Sequence, residues 1–239
     1  VGTGRYSLSA CGTLTAGLIA GGGPGTPVNA LTEEYDGTNW TTTGALNTGR
    51  SELTAFGVQT AAVCAGGSTP GGIKSAVTEE YDGSTWTTSP GSMNTARHAL
   101  SAGGAGTLTA GIIYGGNDGL PPAPAATAVT ETYDGSTWSN GASMTTARMA
   151  NFSALQGTTT AALTGSGGGG GGAPNLTSVE GYNGTTWSAL PSVATTHKSA
   201  GGVGTNTTAM VFAGSPPPTG ITSTEQYSEA AAVKTITTS

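Results

Sequence analysis

The sequence predicts an all-β fold: a five-bladed β-propeller of four-stranded antiparallel blades. Three observations lead there. The first is repetition. The four tryptophans, Trp40, Trp86, Trp138 and Trp187, lie 46, 52 and 49 residues apart. A tyrosine precedes each by five places (Tyr35, Tyr81, Tyr133, Tyr182), and a fifth follows at Tyr227. Two places before each tyrosine stands an acid: Glu33, Glu79, Glu131, Glu180 and Glu225. The second observation is the period. A unit of about 45–52 residues that holds four short strands has the size of a propeller blade. The third is composition. Gly (42) and Pro (12) supply turns, and the rest is dominated by Thr, Ser, Ala and Val, which favour strands and turns over helices.

Each unit opens with a base: Arg5, Arg50, Arg97 and Arg148, with His197 in the fifth slot. The lead-in strings are TGR, TGR, TAR, TAR and TTH. A short apolar strand (a) follows, then a Gly/Thr turn. A second strand (b) ends in a glycine pair or its remnant, at 18-LIAGG-22, 63-VCAGG-67, 112-IIYGG-116, 163-LTGSG-167 and 211-VFAG-214. After a variable loop comes the strand (c) with E-x-Y, then an Asp-Gly turn, then a strand (d) opened by Trp. The blades fall at about 1–46, 47–93, 94–144, 145–193 and 194–239, in one domain spanning 1–239. The fourth strand of the last blade is expected over 232-AVKTITT-238. No strand is left over for exchange between first and last blades. The expectation is therefore closure by packing of blade one on blade five, or with only minor strand exchange.

Each recurring residue has a structural reading. Asp-Gly is a strong hairpin signal, since glycine accepts positive φ and the aspartate caps the turn. Asp36, Asp82 and Asp134 occupy that slot, with Asn183 in the fourth copy. Calcium would need six to eight converging oxygens, which one acid per turn does not supply. Tyr and Trp flank the hairpin and are expected to pack between neighbouring blades, each buried ring worth roughly 1.5–3 kcal/mol or more. The arginines and E-x-Y glutamates are expected to form one bidentate, partly buried pair per blade. Most of the chain's charge is thereby committed. Of 13 acids only Glu52, Asp118 and Glu229 lie outside the repeat and its turns, and of seven bases only Lys74, Lys198 and Lys234. Cys11 and Cys64, among small apolar residues, read as buried thiols outside any zinc pattern.

Several function classes are disfavoured. A net charge of −6 and a pI near 4.7 oppose a nucleic-acid partner, which needs clustered Lys and Arg. No apolar run reaches the roughly 18 residues of a membrane span, and no signal-peptide pattern is present. His98 and His197 belong to non-adjacent blades and lack a third ligand. No G-x-S-x-G elbow or Walker motif occurs, and the glycine run 167-GGGGGG-172 lacks the following Lys-Ser/Thr of a phosphate loop. No catalytic, cofactor-binding or metal-binding residue is assigned, and no enzymatic activity is expected.

The copies differ most in the b–c loops: 23-GPGTPVN-29, 68-STPGGIKSA-76, 117-NDGLPPAPAATA-128, 168-GGGGGAPNL-176 and 215-SPPPTGIT-222. All five are expected on one face, as a presenting surface on a constant framework. Candidate contact residues are Pro24, Pro27, Pro70, Lys74, Asp118, Pro121, Pro122, Pro174, Asn175, Pro216 and Pro217. With almost no aromatics and few charges, these loops suit broad contacts better than a deep pocket.

The order Arg, Gly-Gly, E-x-Y-D, Trp resembles the kelch repeat, and the resemblance covers the whole chain. The departures are Ala232 in the last tryptophan slot, Asn183 for Asp, and a glycine run for one Gly pair. Kelch-type propellers also carry galactose-oxidase-like copper chemistry, but its converging two His, two Tyr and cross-linked Cys are not indicated here. The strings G-T-x-T-A and TEEYDG-x-x-W, with few lysines, are similar to kelch-like repeats in tail-fibre and other virion proteins of marine bacteriophages. That resemblance implies a virion or extracellular location and a structural or host-attachment role, as a fibre module or capsid decoration protein, with other virion or surface-assembly proteins as partners. The alternative is a carbohydrate-binding, lectin-like propeller that meets cell-surface glycans. Neither role implies membrane insertion.

Overall fold

A computed structural model of the chain describes residues 1–23, 29–100, 104–119, 125–171, 173–214 and 222–228. They form a five-bladed all-β propeller with no helix among them. Blade one is a sheet of β1 (Ser9–Thr13), β2 (Ala16–Ala20), β3 (Thr32–Tyr35) and β4 (Trp40–Thr43), in that order. Blade two holds β5 (Thr54–Val58), β6 (Ala61–Ala65), β9 (Thr78–Tyr81) and β10 (Trp86–Thr88), while the small hairpin β7 (Ser68–Thr69) and β8 (Ile73–Lys74) rises from its b–c loop. Blade three comprises β11 (Gly104–Thr107), β12 (Ala110–Tyr114), β13 (Thr130–Tyr133) and β14 (Trp138–Asn140). Blade four comprises β15 (Phe152–Ser153), β16 (Ala162–Gly165), β17 (Val179–Tyr182) and β18 (Trp187–Leu190). Blade five shows β19 (Gly201–Gly204), β20 (Thr208–Phe212) and β21 (Thr224–Ser228). The fourth strand expected over 232–238 lies outside the described residues.

The c–d turn follows from its sequence. Gly37, Gly83, Gly135 and Gly184 all have φ between 93° and 96°. Asp36 Oδ1 accepts the N–H groups of Thr38 and Asn39, and Asp82, Asp134 and Asn183 do the same in their blades. The turn sets the register that places Tyr opposite Trp, with ring centroids 4.8–5.1 Å apart in four blades.

Four apolar clusters fill the spaces between consecutive blades. The first joins Leu18 and Ala20 of blade one to Cys64, Tyr81 and Trp86 of blade two. The second and third repeat this between blades two and three and between three and four. The fourth joins Phe152 and Leu163 of blade four to Ala209 and Val211 of blade five. Period-two alternation explains the arrangement, because strand b buries one set of side chains against the preceding blade and the other against the next. The expected packing of Tyr and Trp between blades is thus observed in blades two to four, with a polar part the sequence reading did not anticipate. The indole N–H of Trp86, Trp138 and Trp187 donates to Thr32, Thr78 and Thr130 of the preceding blade, at 2.9, 2.8 and 3.0 Å. The Tyr81 and Tyr133 hydroxyls likewise reach back to Glu34 and Glu80.

Backbone bonds also tie the blades. The second residue of the glycine pair donates its N–H to the carbonyl of the next blade's basic slot: Gly22 to Arg50, Gly67 to Arg97, Gly116 to Arg148 and Gly167 to His197. A Cβ at Gly66 would lie 2.8 Å from the Arg97 carbonyl, which is why this crossing wants glycine. Two residues beyond the basic slot, Ser7, Glu52, Ala99, Ala150 and Ser199 all take a left-handed φ of 51–55°. They bond in succession around the axis: Glu52 N–H to Ser7, Leu100 N–H to Glu52, Ala150 N–H to Ala99, Ser199 N–H to Ala150.

Candidate functional site

The basic residue of each unit sits where strands b and c part to form the b–c loop. There the ladder ends and leaves carbonyls to be satisfied. Arg50 Nη1 donates to Gly66 and Val77, one carbonyl from each strand, while Nη2 donates to Glu79 at 2.8 Å. Arg5, Arg97 and Arg148 repeat the pattern with Glu33, Glu131 and Glu180. The glutamate completes the clamp. Its oxygens accept backbone N–H groups from the lead-in to the arginine, as Glu79 does from Asn47 and Thr48. One ion pair therefore holds strand b, strand c and the incoming d–a connection. Two corrections follow. The pairs use one guanidinium nitrogen rather than two, because Nη1 is taken by the carbonyls. They are also fully rather than partly buried, both side chains being at most 1% exposed in all four.

Burial alone would raise the Glu180 carboxyl, but the Thr145 and Arg148 donors outweigh it and hold the group below its ordinary value. The same balance, with the Gly2 N–H and Arg5 as donors to Glu33 and the Ala194 N–H and His197 as donors to Glu225, lowers both carboxyls. In blade five the imidazole of His197 is the shorter substitute. Nδ1–H donates to the Ala213 carbonyl at 2.7 Å, and Nε2 meets Glu225 at 3.0 Å. It reaches one strand-end carbonyl where each arginine reaches two.

These clamps lie beneath the b–c loops, on the face that also carries the d–a connections. Pro70 and Pro174 are exposed there, with Asp118 and Asn175 half-buried. Lys74 is not a free charge: its ammonium donates to the carbonyls of Asp118 and Gly119 in the next blade's loop. Ala125 of loop three bridges to Gly170 of loop four. Loops two, three and four are thus joined in succession. The other expected contact residues, Pro24, Pro27, Pro121, Pro122, Pro216 and Pro217, lie outside the described residues.

Near the axis on this face sit Glu52 and His98, two groups that the repeat does not use. His98 Nδ1 meets Glu52 Oε2 at 2.6 Å, with both side chains partly exposed. The His98 bond outweighs burial and lowers the Glu52 carboxyl, with Lys198 a smaller influence. Further along the axis, Leu155 and Gln156 of blade four line a cavity of about 190 Å³ with Ala10, Cys11 and Phe56. Gly157 follows Arg148 by nine places where Gly12 follows Arg5 by seven, a longer lead-in that blade three shares between Arg97 and Gly106. Burial pushes the Cys11 thiol up to about 12, and Cys64 is raised by the same cause. Both cysteines are free.

Among the described residues no three His, Cys, Asp or Glu side chains group as metal ligands, and no helix is long and apolar enough to cross a membrane. Every tryptophan of blades two to four is turned into a blade interface, at most 7% exposed, so none presents a stacking face. No protein-family model matches the chain, and no curated protein is detectably similar to it in sequence.

Proposed function

We propose that the protein is a non-enzymatic structural propeller of a virus particle or comparable surface assembly, a fibre module or capsid decoration, that meets its partners through the b–c loop face. One observation carries this reading: the recurring Arg and Glu side chains, and the Tyr and Trp of blades two to four, which hold most of the molecule's chemistry, are consumed in clamping and packing the blades. What is left to the surrounding medium is a weakly charged loop surface, tied together through loops two, three and four. Such a surface suits an extended protein contact, in which many small contributions add up without a deep pocket. The resemblance of the repeat strings to kelch-like repeats of bacteriophage virion proteins supports the setting.

Immunogold imaging of the source material tests the proposal. Label on a particle or filament, lost from particles whose chain carries Pro70→Gly with Pro174→Gly, is the expected result. Label confined to a monodisperse free monomer would overturn it. A glycan array run in parallel covers the lectin alternative. Saturable binding to one sugar class, lost on changing residues of a single face, would replace the structural reading.

A further inference from the structure

Between blades one and two, two and three, three and four, and four and five, each seam carries two backbone bonds: glycine-pair N–H to basic-slot carbonyl, and a left-handed residue's carbonyl to the N–H of the next blade's left-handed residue or, at the second seam, of Leu100 beside it. At the seam from blade five to blade one the corresponding donors and acceptors are Gly214 with Arg5 and Ser199 with Ser7, and among the described residues neither bond is formed. The side chains agree. Val203, Met210 and Phe212 share one face of blade five, registered through Val203↔Met210. They are 43%, 39% and 38% exposed, whereas Val63 and Ala65 on the same face of blade two are fully buried. Opposite them, Tyr35 and Trp40 of blade one are half-buried, while Tyr81 and Trp86 are 1% and 5% exposed. The Tyr35 hydroxyl donates to Gly37 in its own turn rather than to a neighbouring blade. A cleft of about 340 Å³ lies between the innermost strands of blades one and five, lined by Leu8, Ala10, Ala200, Gly202, Val203 and Phe212 among others.

The repeat says what belongs in this seam. Each indole donates to the threonine that opens strand c of the preceding blade. Where the donor is missing, so is the acceptor: blade five has Ala232 in the tryptophan slot, and blade four has Val179 in the threonine slot. The remaining pair is complete in sequence. Blade one supplies Trp40, and Thr224 opens strand c of blade five, directly before Glu225 as Thr32 precedes Glu33. Thr224 is exposed and sits across β20–β21 from Phe212, on the face turned toward blade one. An isolated donor–acceptor pair kept in register, beside one whose two halves are lost together, marks a contact that this chain makes.

We infer that blades five and one are joined by a latch, the Trp40 indole N–H donating to the Thr224 hydroxyl, and that the structure shows this latch open. Closing it brings Trp40 and Tyr35 onto Met210 and Phe212 and completes the ring. The proposal goes beyond the assembly role and stands or falls separately from it. The device is conformational: four seams are fixed by backbone bonds, and one is held by a side-chain latch that can open.

Indole hydrogen exchange, followed by NMR on the whole chain, tests it. Trp40→Phe identifies the Trp40 signal among the four. The expected result is a Trp40 indole proton that exchanges at least about tenfold more slowly than free tryptophan. Thr224→Val should return it to the free rate and leave Trp86, Trp138 and Trp187 unchanged, and Thr224→Ser should keep it protected. Those three reference signals also report that each variant is folded; if Thr224→Val does not fold, Thr224→Ala takes its place. A Trp40 proton exchanging at the free rate in the unsubstituted chain would refute the latch. So would protection that survives loss of the Thr224 hydroxyl.

Discussion

At the scale of single residues the clearest lesson is the basic slot. Arg50, Arg97 and Arg148 are fully buried charges, tolerable because each is neutralised and its Nη groups are bonded. His197 is the natural experiment. It holds Ala213 and Glu225 but reaches no second carbonyl. His197→Arg should restore the clamp and raise the thermal midpoint by a few degrees, as expected for about 1 kcal/mol from one added charge-assisted hydrogen bond in a chain of this size. An unchanged or lower midpoint in scanning calorimetry would show that blade five has adapted to the smaller ring. The clamp's members were legible in the sequence because Arg and Glu are rare here and recur at fixed places. Its geometry was not, since the backbone carbonyls that occupy Nη1 leave no trace in residue identity. The left-handed residues after the slot were equally hidden. Ser7, Glu52, Ala99, Ala150 and Ser199 share a conformation but no side chain that announces it, and none is glycine.

At the scale of elements, the hairpins behaved as their letters suggest and the interfaces held the surprises. Asp-Gly gave the turn, and Tyr and Trp the packing. The threonines that receive the indoles could not be singled out among so many others in the chain. Phe56 shows how the interfaces are cut to fit. It leaves blade two, meets Trp138 edge-on with centroids 6.4 Å apart, and covers Gly111 of blade three. A Cβ at Gly111 would lie 2.2 Å from the Phe56 ring, although this glycine needs no special backbone angle. The equivalent positions Ala62 and Ala162 carry a methyl, and the equivalent Gly17 has room for one, with the Tyr35 Cβ 3.5 Å from an added Cβ. Gly111→Ala should therefore cost about 1–3 kcal/mol by overpacking in urea unfolding, and Gly111→Ala with Phe56→Leu should recover most of it. If the single variant is as stable as the parent, the contact between blades two and three is looser than described.

At the scale of the molecule, repetition made the fold class and the blade count readable, because each copy confirms the others. What repetition cannot reveal is where it fails. The loops joined through Lys74 and the unsealed face of blade five both depend on one copy differing from the rest. Three of the repeat glutamates, in blades one, four and five, give the fold an acid response. Burial works to raise Glu33, Glu180 and Glu225, but their donors outweigh it, so each is lower in the folded chain than in the unfolded one. Their stabilisation is complete above the unfolded value, about 4.3, and is lost as pH falls through the folded values. The melting temperature should stay level from neutral pH to about 5 and decline below about 4; a decline that begins near 6.5 would instead implicate histidine. The central claim is that the recurring residues are scaffold and the loops are the contact surface. Scanning calorimetry of Arg97→Ala against Pro70→Gly tests it most directly. Removing one partner of a buried pair should cost about 3–5 kcal/mol, or roughly 10 °C, while the loop variant melts with the parent. An Arg97→Ala chain that melts at the parental temperature would contradict the account.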